Sequence, residues 1–228
     1  MYNPKPLLPI TELDFILQFL PIIELEETTT FDLIFVFSPI IEYFFTVVFA
    51  SILTLEEIST ILKNKDKNAK ILVLSSQTKT ANPQIIREVI SSLNDNEIQI
   101  RGEAFSTLFL NNHDISDILI SSLTSESKNI RSFCALILAN RGDKNSINSI
   151  LTLTRDNSSM VRSCAFGALG HLRVKKASKE IHSGILDEDI EVKKSAAYAA
   201  ILIGEKFTDN ERKELEKYDD EFKIILKN

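Results

Sequence analysis

Tryptophan is absent from the 228 residues, and only two cysteines occur, Cys134 and Cys164. Neither lies in a paired-Cys spacing. That excludes a disulfide framework and a zinc ribbon and fits a reducing compartment. Three histidines, His113, His171 and His182, show no metal-ligand spacing such as HExxH. Glycine and proline number six each, and they are not spread evenly. Residues 1–54 hold five of the six prolines and eight of the 14 phenylalanines, with no Gly and no Arg.

This shift in composition divides the chain near residue 54. Residues 1–54 carry seven acids and one lysine, Lys5. Residues 55–228 carry 25 acids against 25 Lys and Arg. A neutral main domain lacks the basic stripe needed to neutralise a phosphate backbone, so nucleic acid is not an expected partner. Within the first segment, residues 33–53 (LIFVFSPIIEYFFTVVFASIL) contain one charge, Glu42, and one proline, Pro39. Length and apolarity fit a membrane anchor. Glu42 would cost about 2.5–3.5 kcal/mol on insertion scales, and Pro39 would kink the helix. Apolar helices packed on the main domain, and an extension without fixed order, fit the composition as well. If the segment spans, Lys63, Lys65, Lys67 and Lys70 after it leave the main domain in the cytoplasm by the positive-inside rule. Cytoplasmic is the expected location either way.

Residues 55–228 are built from a repeat. Four stretches align: DNEIQIRGEAFSTLFL from Asp95, SESKNIRSFCALILAN from Ser125, DNSSMVRSCAFGALGH from Asp156 and DEDIEVKKSAAYAAIL from Asp187. Their anchor pairs, Ile100-Arg101, Ile130-Arg131, Val161-Arg162 and Val192-Lys193, stand 30, 31 and 31 residues apart. A small residue follows four positions after each anchor (Ala104, Cys134, Ala165, Ala196), and Leu108, Leu138, Leu169 or Ala200 stands at offset 8. Offsets 0, 4, 5 and 8 make one face of a helix. A shorter amphipathic run precedes each anchor: 85–93, 115–123, 147–154 and 178–186. Each unit is therefore expected to be two antiparallel helices that bury their apolar faces only by stacking. That predicts an all-α fold, a right-handed α-solenoid of about five units. A weaker unit at 54–77 opens with the capping-box pattern Thr54-x-x-Glu57. Residues 208–228 begin with Thr208-x-x-Glu211 and are expected to form a polar C-terminal cap, with Asp219-Asp220 and Phe222-Lys223 in register with the repeat.

Periodicity also assigns the polar residues. Asp95, Asp156 and Asp187 stand six residues before Arg101, Arg162 and Lys193. Each aspartate is expected to cap its second helix and to reach a base of its own or a neighbouring unit. Stacking would line these residues, with Arg131, into a structural ladder, weakened where Ser125 replaces the aspartate. Cys134 occupies the small core position, and Cys164 has no counterpart in the other units, so both read as packing. Gly170 falls where a second helix should end and reads as its cap, with His171 in the following loop.

The D…VRSCAFGALG pattern resembles HEAT-like repeats of the phycobilisome-lyase type across about residues 83–207. That resemblance implies the solenoid. The family it points to holds scaffolds, bilin-attaching lyases and iron-dependent hydroxylases. The hydroxylases carry His-Glu pairs on successive repeats. Here His113 is followed by Asp114, His171 by Leu172 and His182 by Ser183, so the ligands of that iron site are missing. No cofactor or metal is expected.

If the second helices line a concave face, offsets 2, 6 and 9 point into it. These are Gly102, Ser106 and Phe109; Ser132, Leu136 and Ala139; Ser163, Gly167 and Gly170; Lys194, Tyr198 and Ile201. The set is small and apolar, which suits a protein or peptide. The candidate binding residues are Ser106, Phe109, Leu136, Tyr198 and Ile201. A non-enzymatic interaction or assembly scaffold is the expected function. The resemblance alone supplies the alternative, an enzyme accessory or lyase-like chaperone for a cofactor or chromophore. The RVKKASK stretch, Arg173 to Lys179, reads as a charged edge offset by the acids of residues 187–191.

Overall fold

The computed structural model describes residues 53–218 and Phe222. The expectations placed on residues 1–52, on Asp219-Asp220 and on Lys223 lie outside the described residues. Among the described residues there are eleven bounded α-helices, two short 3-10 turns and no strand. Ten of the helices pair as five units: α1 (Leu55–Lys63) with α2 (Lys67–Ser76), α3 (Pro83–Ser92) with α4 (Ile98–Leu110), α5 (Ser116–Ser122) with α6 (Lys128–Asn140), α7 (Ile147–Leu153) with α8 (Ser159–His171), and α9 (Ser178–Ile185) with α10 (Ile190–Ile203). The eleventh, α11 (Asp209–Leu215), follows the last pair. The architecture is an α-solenoid.

Local signals set the helix starts. Thr54 and Glu57 form a reciprocal capping box at α1, and Thr208 and Glu211 form another at α11. Pro83 opens α3, whose first turn is capped by Asn82. The helix ends follow the repeat less obviously. Gly142, Arg173 and Gly204, each 31 residues from the next, adopt left-handed φ values of 72°, 55° and 85°. At each of these ends the following N–H returns to a carbonyl five residues back: Asp143 to Leu138, Val174 to Leu169 and Glu205 to Ala200. Gly170 is therefore not a cap. It lies in the last turn of α8, and the left-handed residue is Arg173.

The second helices α4, α6, α8 and α10 form the spine. Their buried residues recur at offsets 0, 4, 5 and 8 and also at offset 7, which holds Thr107, Ile137, Ala168 and Ala199. Offset 7 faces the preceding second helix: Thr107 donates its hydroxyl to the Leu74 carbonyl of α2, and Ala199 lies against Gly170 of α8. A Cβ on Gly170 would stand 2.8 Å from Ala199 Cα, so glycine permits the close approach of α8 and α10. Gly184 does the same for α9: a Cβ there would stand 2.4 Å from Phe166 Cζ. Packing is much closer between α8 and α10, and between α6 and α8, than between α4 and α6. At that looser junction Phe105 and Phe133 meet edge to face, with ring centroids 6.3 Å apart. At the two more closely packed junctions the same offsets hold Ala135 with Cys164 and Phe166 with Ser195, so two facing aromatic rings occur only at the looser one among the described second helices.

Candidate interaction surface and the polar ladder

The aspartates and bases at the helix-pair turns form a bonded row. In each turn one aspartate oxygen accepts the N–H two residues on: Asp95 from Glu97, Asp156 from Ser158 and Asp187 from Asp189, each at 2.9 Å. The helix N-caps are thus Glu97, Ser158 and Asp189, and the ladder aspartates brace the cap residue from two positions before it. The expected direct cap is corrected on this point. The turn needs the carboxylate at the bend, where it fixes the chain before the helix begins.

The same carboxylates bind the base of the preceding unit. Lys70 Nζ reaches Asp95 at 2.7 Å. Arg131 donates Nε to Asp156 Oδ2 at 2.8 Å and its second amino group to Oδ1 at 2.9 Å. Arg162 makes the same fork to Asp187, both bonds at 2.8 Å. The first amino group of each arginine donates backward to the carbonyl of its own turn: Arg101 to Asp95, Arg131 to Ser125 and Arg162 to Asp156. One guanidinium therefore joins two successive turns. Burial pushes the three aspartate carboxyls up. The bonds from Lys70, Arg131 and Arg162, then the backbone N–H groups and nearby positive charge, outweigh it and hold each carboxyl below its usual range. Lys193, 3 % exposed, ends the row on Glu214 at 2.7 Å, with its ammonium 5.0 Å from the centre of the Tyr218 ring. Hydrogen bonds from Lys193 and Lys217 hold Glu214 down to about 2. Arg101 makes no ion pair with any described residue, and Ser125 stands where its acid would be.

Sequence reasoning missed a second row of arginines at the helix C-termini. Arg141 donates to the carbonyls of Leu108, Phe109, Asn111 and His113, closing the end of α4. Arg173 donates to the Leu202 carbonyl near the end of α10. Their signal is that each stands within one residue of the left-handed position. With Lys176 bonded to Asn148, two of the four bases of RVKKASK are engaged in the fold.

The expected groove divides. Tyr198 is 52 % exposed and Phe109 41 %, while Ser106, Leu136 and Ile201 are half-buried. Ser132, Ala139 and Gly170 are buried and do not belong to the surface. Offset 9 turns toward the next second helix in the middle of the array. The solvent-facing row continues from offset 6 to offset 10, through Leu110 (62 %) and Leu202 (37 %), with exposed Asn140 and His171 between. An i, i+4 step from Ser106 and Tyr198 finds Leu110 and Leu202. The apolar side chains thus gather at two ends, Phe109 with Leu110 and Tyr198 with Leu202. Leu136, Gly167 and His171 lie between them. Ser163 Oγ meets Ser195 Oγ at 2.8 Å and joins α8 to α10 on this side.

No converging reactive groups occupy this face. Burial pushes the Cys134 thiol up to about 12 and raises that of half-buried Cys164. No cluster of three or more His, Cys, Asp and Glu among the described residues is placed to hold a metal ion. A cleft of about 120 Å³ lies elsewhere, among Thr154, Phe166, Lys179 and Gly184. His182 Nδ1 meets Glu211 Oε1 at 2.7 Å and fastens α9 to the α11 capping box.

Residues 116–206 match the HEAT repeats family. No curated protein matches the chain. Among solved structures, the complex of CpcE and CpcF of phycocyanin lyase from Nostoc sp. PCC7120 is similar at 18 % identity, covering 72 % of this chain and 68 % of that one, with a TM-score of 0.47. An engineered protein is similar at 17 % identity, covering 76 % and 93 %, with a TM-score of 0.44. A designed armadillo repeat protein in complex with the peptide (KR)4 is similar at 15 % identity, covering 77 % and 97 %, also with a TM-score of 0.44. Residues 116–206, which span three of the stacked helix pairs at the 31-residue period, thus carry HEAT-like repeats.

Proposed function

We propose that the protein is an interaction or assembly scaffold. It holds a protein or peptide on the exposed face of its second helices. The observation that carries this reading is the pair of exposed apolar clusters, Phe109-Leu110 and Tyr198-Leu202, on a face with no reactive constellation. Large apolar side chains in solvent at both ends of an ordered row suit a partner's apolar anchors. Adjacent packed helices lie about 8–10 Å apart, so the three steps from α4 to α10 span roughly 25–30 Å. That span fits a partner helix of about 17–20 residues at 1.5 Å per residue. The two free cysteines, Cys134 and Cys164, support a reducing, cytoplasmic setting. No helix among the described residues is long and apolar enough to cross a membrane. The membrane-anchor expectation for residues 33–53 rests on sequence alone.

The test is site-specific photo-cross-linking of the full chain in its native cell. A cross-linking residue at 198 or 202 is expected to capture a discrete protein. The same residue at exposed Thr152, on a first helix, should not. Adducts from position 152 with none from 198 or 202 would contradict the assignment.

A further inference from the structure

The ladder has an open rung at Arg101. At the two closed arginine rungs, Nε and one amino group grip Asp156 or Asp187, while the other amino group holds the arginine's own turn. Arg101 makes the second set of bonds, to the carbonyls of Asp95 and Asn96 at 2.8 and 2.9 Å. It is therefore held in place, with the gripping side of its fork unused by any described residue. Ser125 stands at the aspartate position. Its Oγ accepts the Ser127 N–H at 3.3 Å, as the aspartates accept the N–H two residues on, and its carbonyl receives Arg131. Neutral bonds hold the same junction: Ser127 and Asn129 both donate to Asn94 Oδ1, at 2.7 and 3.0 Å. This is also the loosely packed α4–α6 junction.

We propose that Ser125 is a phosphorylation site whose phosphoryl group is received by the Arg101 guanidinium, closing the open rung. A serine phosphate carries charge of about −1.5 to −2 and three acceptor oxygens. Its oxygens lie one bond further from the backbone than those of aspartate, and a guanidinium fork donates to phosphate oxygens as it does to carboxylate oxygens. Asp95 does not compete, because its carboxylate faces Lys70. In the modification Ser125 Oγ bonds to the terminal phosphorus of a nucleoside triphosphate. The bond to the departing diphosphate breaks, and the hydroxyl proton passes to a base of the transferring enzyme. Closing the rung ties the α4 turn to the α6 turn, and so joins more tightly the two helices that carry Phe109 and Leu136. The stiffness of the proposed binding face then depends on modification.

The test uses the full chain with phosphoserine placed at position 125 during translation. The melting temperature is expected to rise by roughly 2–4 °C over the unmodified chain, and to show no rise in an Arg101→Gln background. Ser125→Asp, which restores the residue of the other turns, should raise it in the same direction if Arg101→Gln fails to fold. An unchanged or lowered melting temperature with phosphoserine, or an equal rise without Arg101, would overturn the proposal.

Discussion

Arg162 and Asp187, 25 residues apart, are joined by two parallel bonds of 2.8 Å, and the same guanidinium also donates to the Asp156 carbonyl. Their side chains are 12 % and 14 % exposed. Removing one partner leaves the other largely buried and unpaired, which costs about 3 kcal/mol in such settings. Arg162→Ala should therefore lower the melting temperature by several degrees and leave partner choice intact. Thermal unfolding with a binding assay checks both halves. A variant as stable as the parent that no longer binds would make Arg162 a ligand-contacting residue.

The ladder also sets the response to acid. Asp95, Asp156 and Asp187 are held below the usual aspartate value of about 3.9. A carboxyl depressed in the fold contributes stability fully above its unfolded value and loses it as pH falls through its folded value. Denaturant midpoints should hold steady from pH 7 to about 5 and then decline below about pH 4. Asp156→Asn should flatten that decline. A midpoint that falls as steeply in Asp156→Asn as in the parent would remove this rung from the acid response.

The GALG stretch offers a sharper contrast. Gly167 and Gly170 sit in one helix, three residues apart. Space is open around Gly167, whereas a Cβ on Gly170 would meet Ala199 Cα at 2.8 Å. Gly167→Ala should stabilise by about 0.5–1 kcal/mol through helix propensity alone. Gly170→Ala should destabilise by about 1–3 kcal/mol, because α8 and α10 must move apart. Chemical denaturation of the two variants checks the sign. Equal responses would mean that the helices are not in close contact at Gly170.

Much of this was legible in sequence, and the parts that were not share a physical reason. The period, the helix pairs and the capping boxes at Thr54 and Thr208 are local patterns. The direction of the ladder is not. Asp156 stands six residues before Arg162 but bonds through its carboxylate to Arg131, because stacking brings the next turn under the previous base. Gly170 carries a similar lesson. Glycine near a helix end reads as a cap, and only the neighbouring helix shows that it is a contact, while Arg173 takes the strained left-handed position. For the surface, helical geometry placed Tyr198 and Phe109 correctly in solvent. It misassigned Ala139 and Gly170, since one added turn of neighbour decides which side of the stripe is covered.

Cys134 and Cys164 should be poor nucleophiles. The first is fully buried, with its thiol pushed up to about 12, and burial raises the second as well. At pH 7 the native chain should react with a thiol-specific disulfide reagent slowly, at the rate of local opening, and quickly once denatured. A fast native phase accounting for one thiol would point to a reactive cysteine and contradict this reading.

The central claim is that the exposed face of the second helices is where this protein meets its partner. The most direct measurement is the affinity of a protein captured through position 198 for the full chain, compared with Leu136→Ala and Tyr198→Ala chains of unchanged melting temperature. The account predicts at least tenfold weaker binding in one of the two, about 1.4 kcal/mol. Equal affinity for the parent and both folded variants would place the partner elsewhere on the molecule.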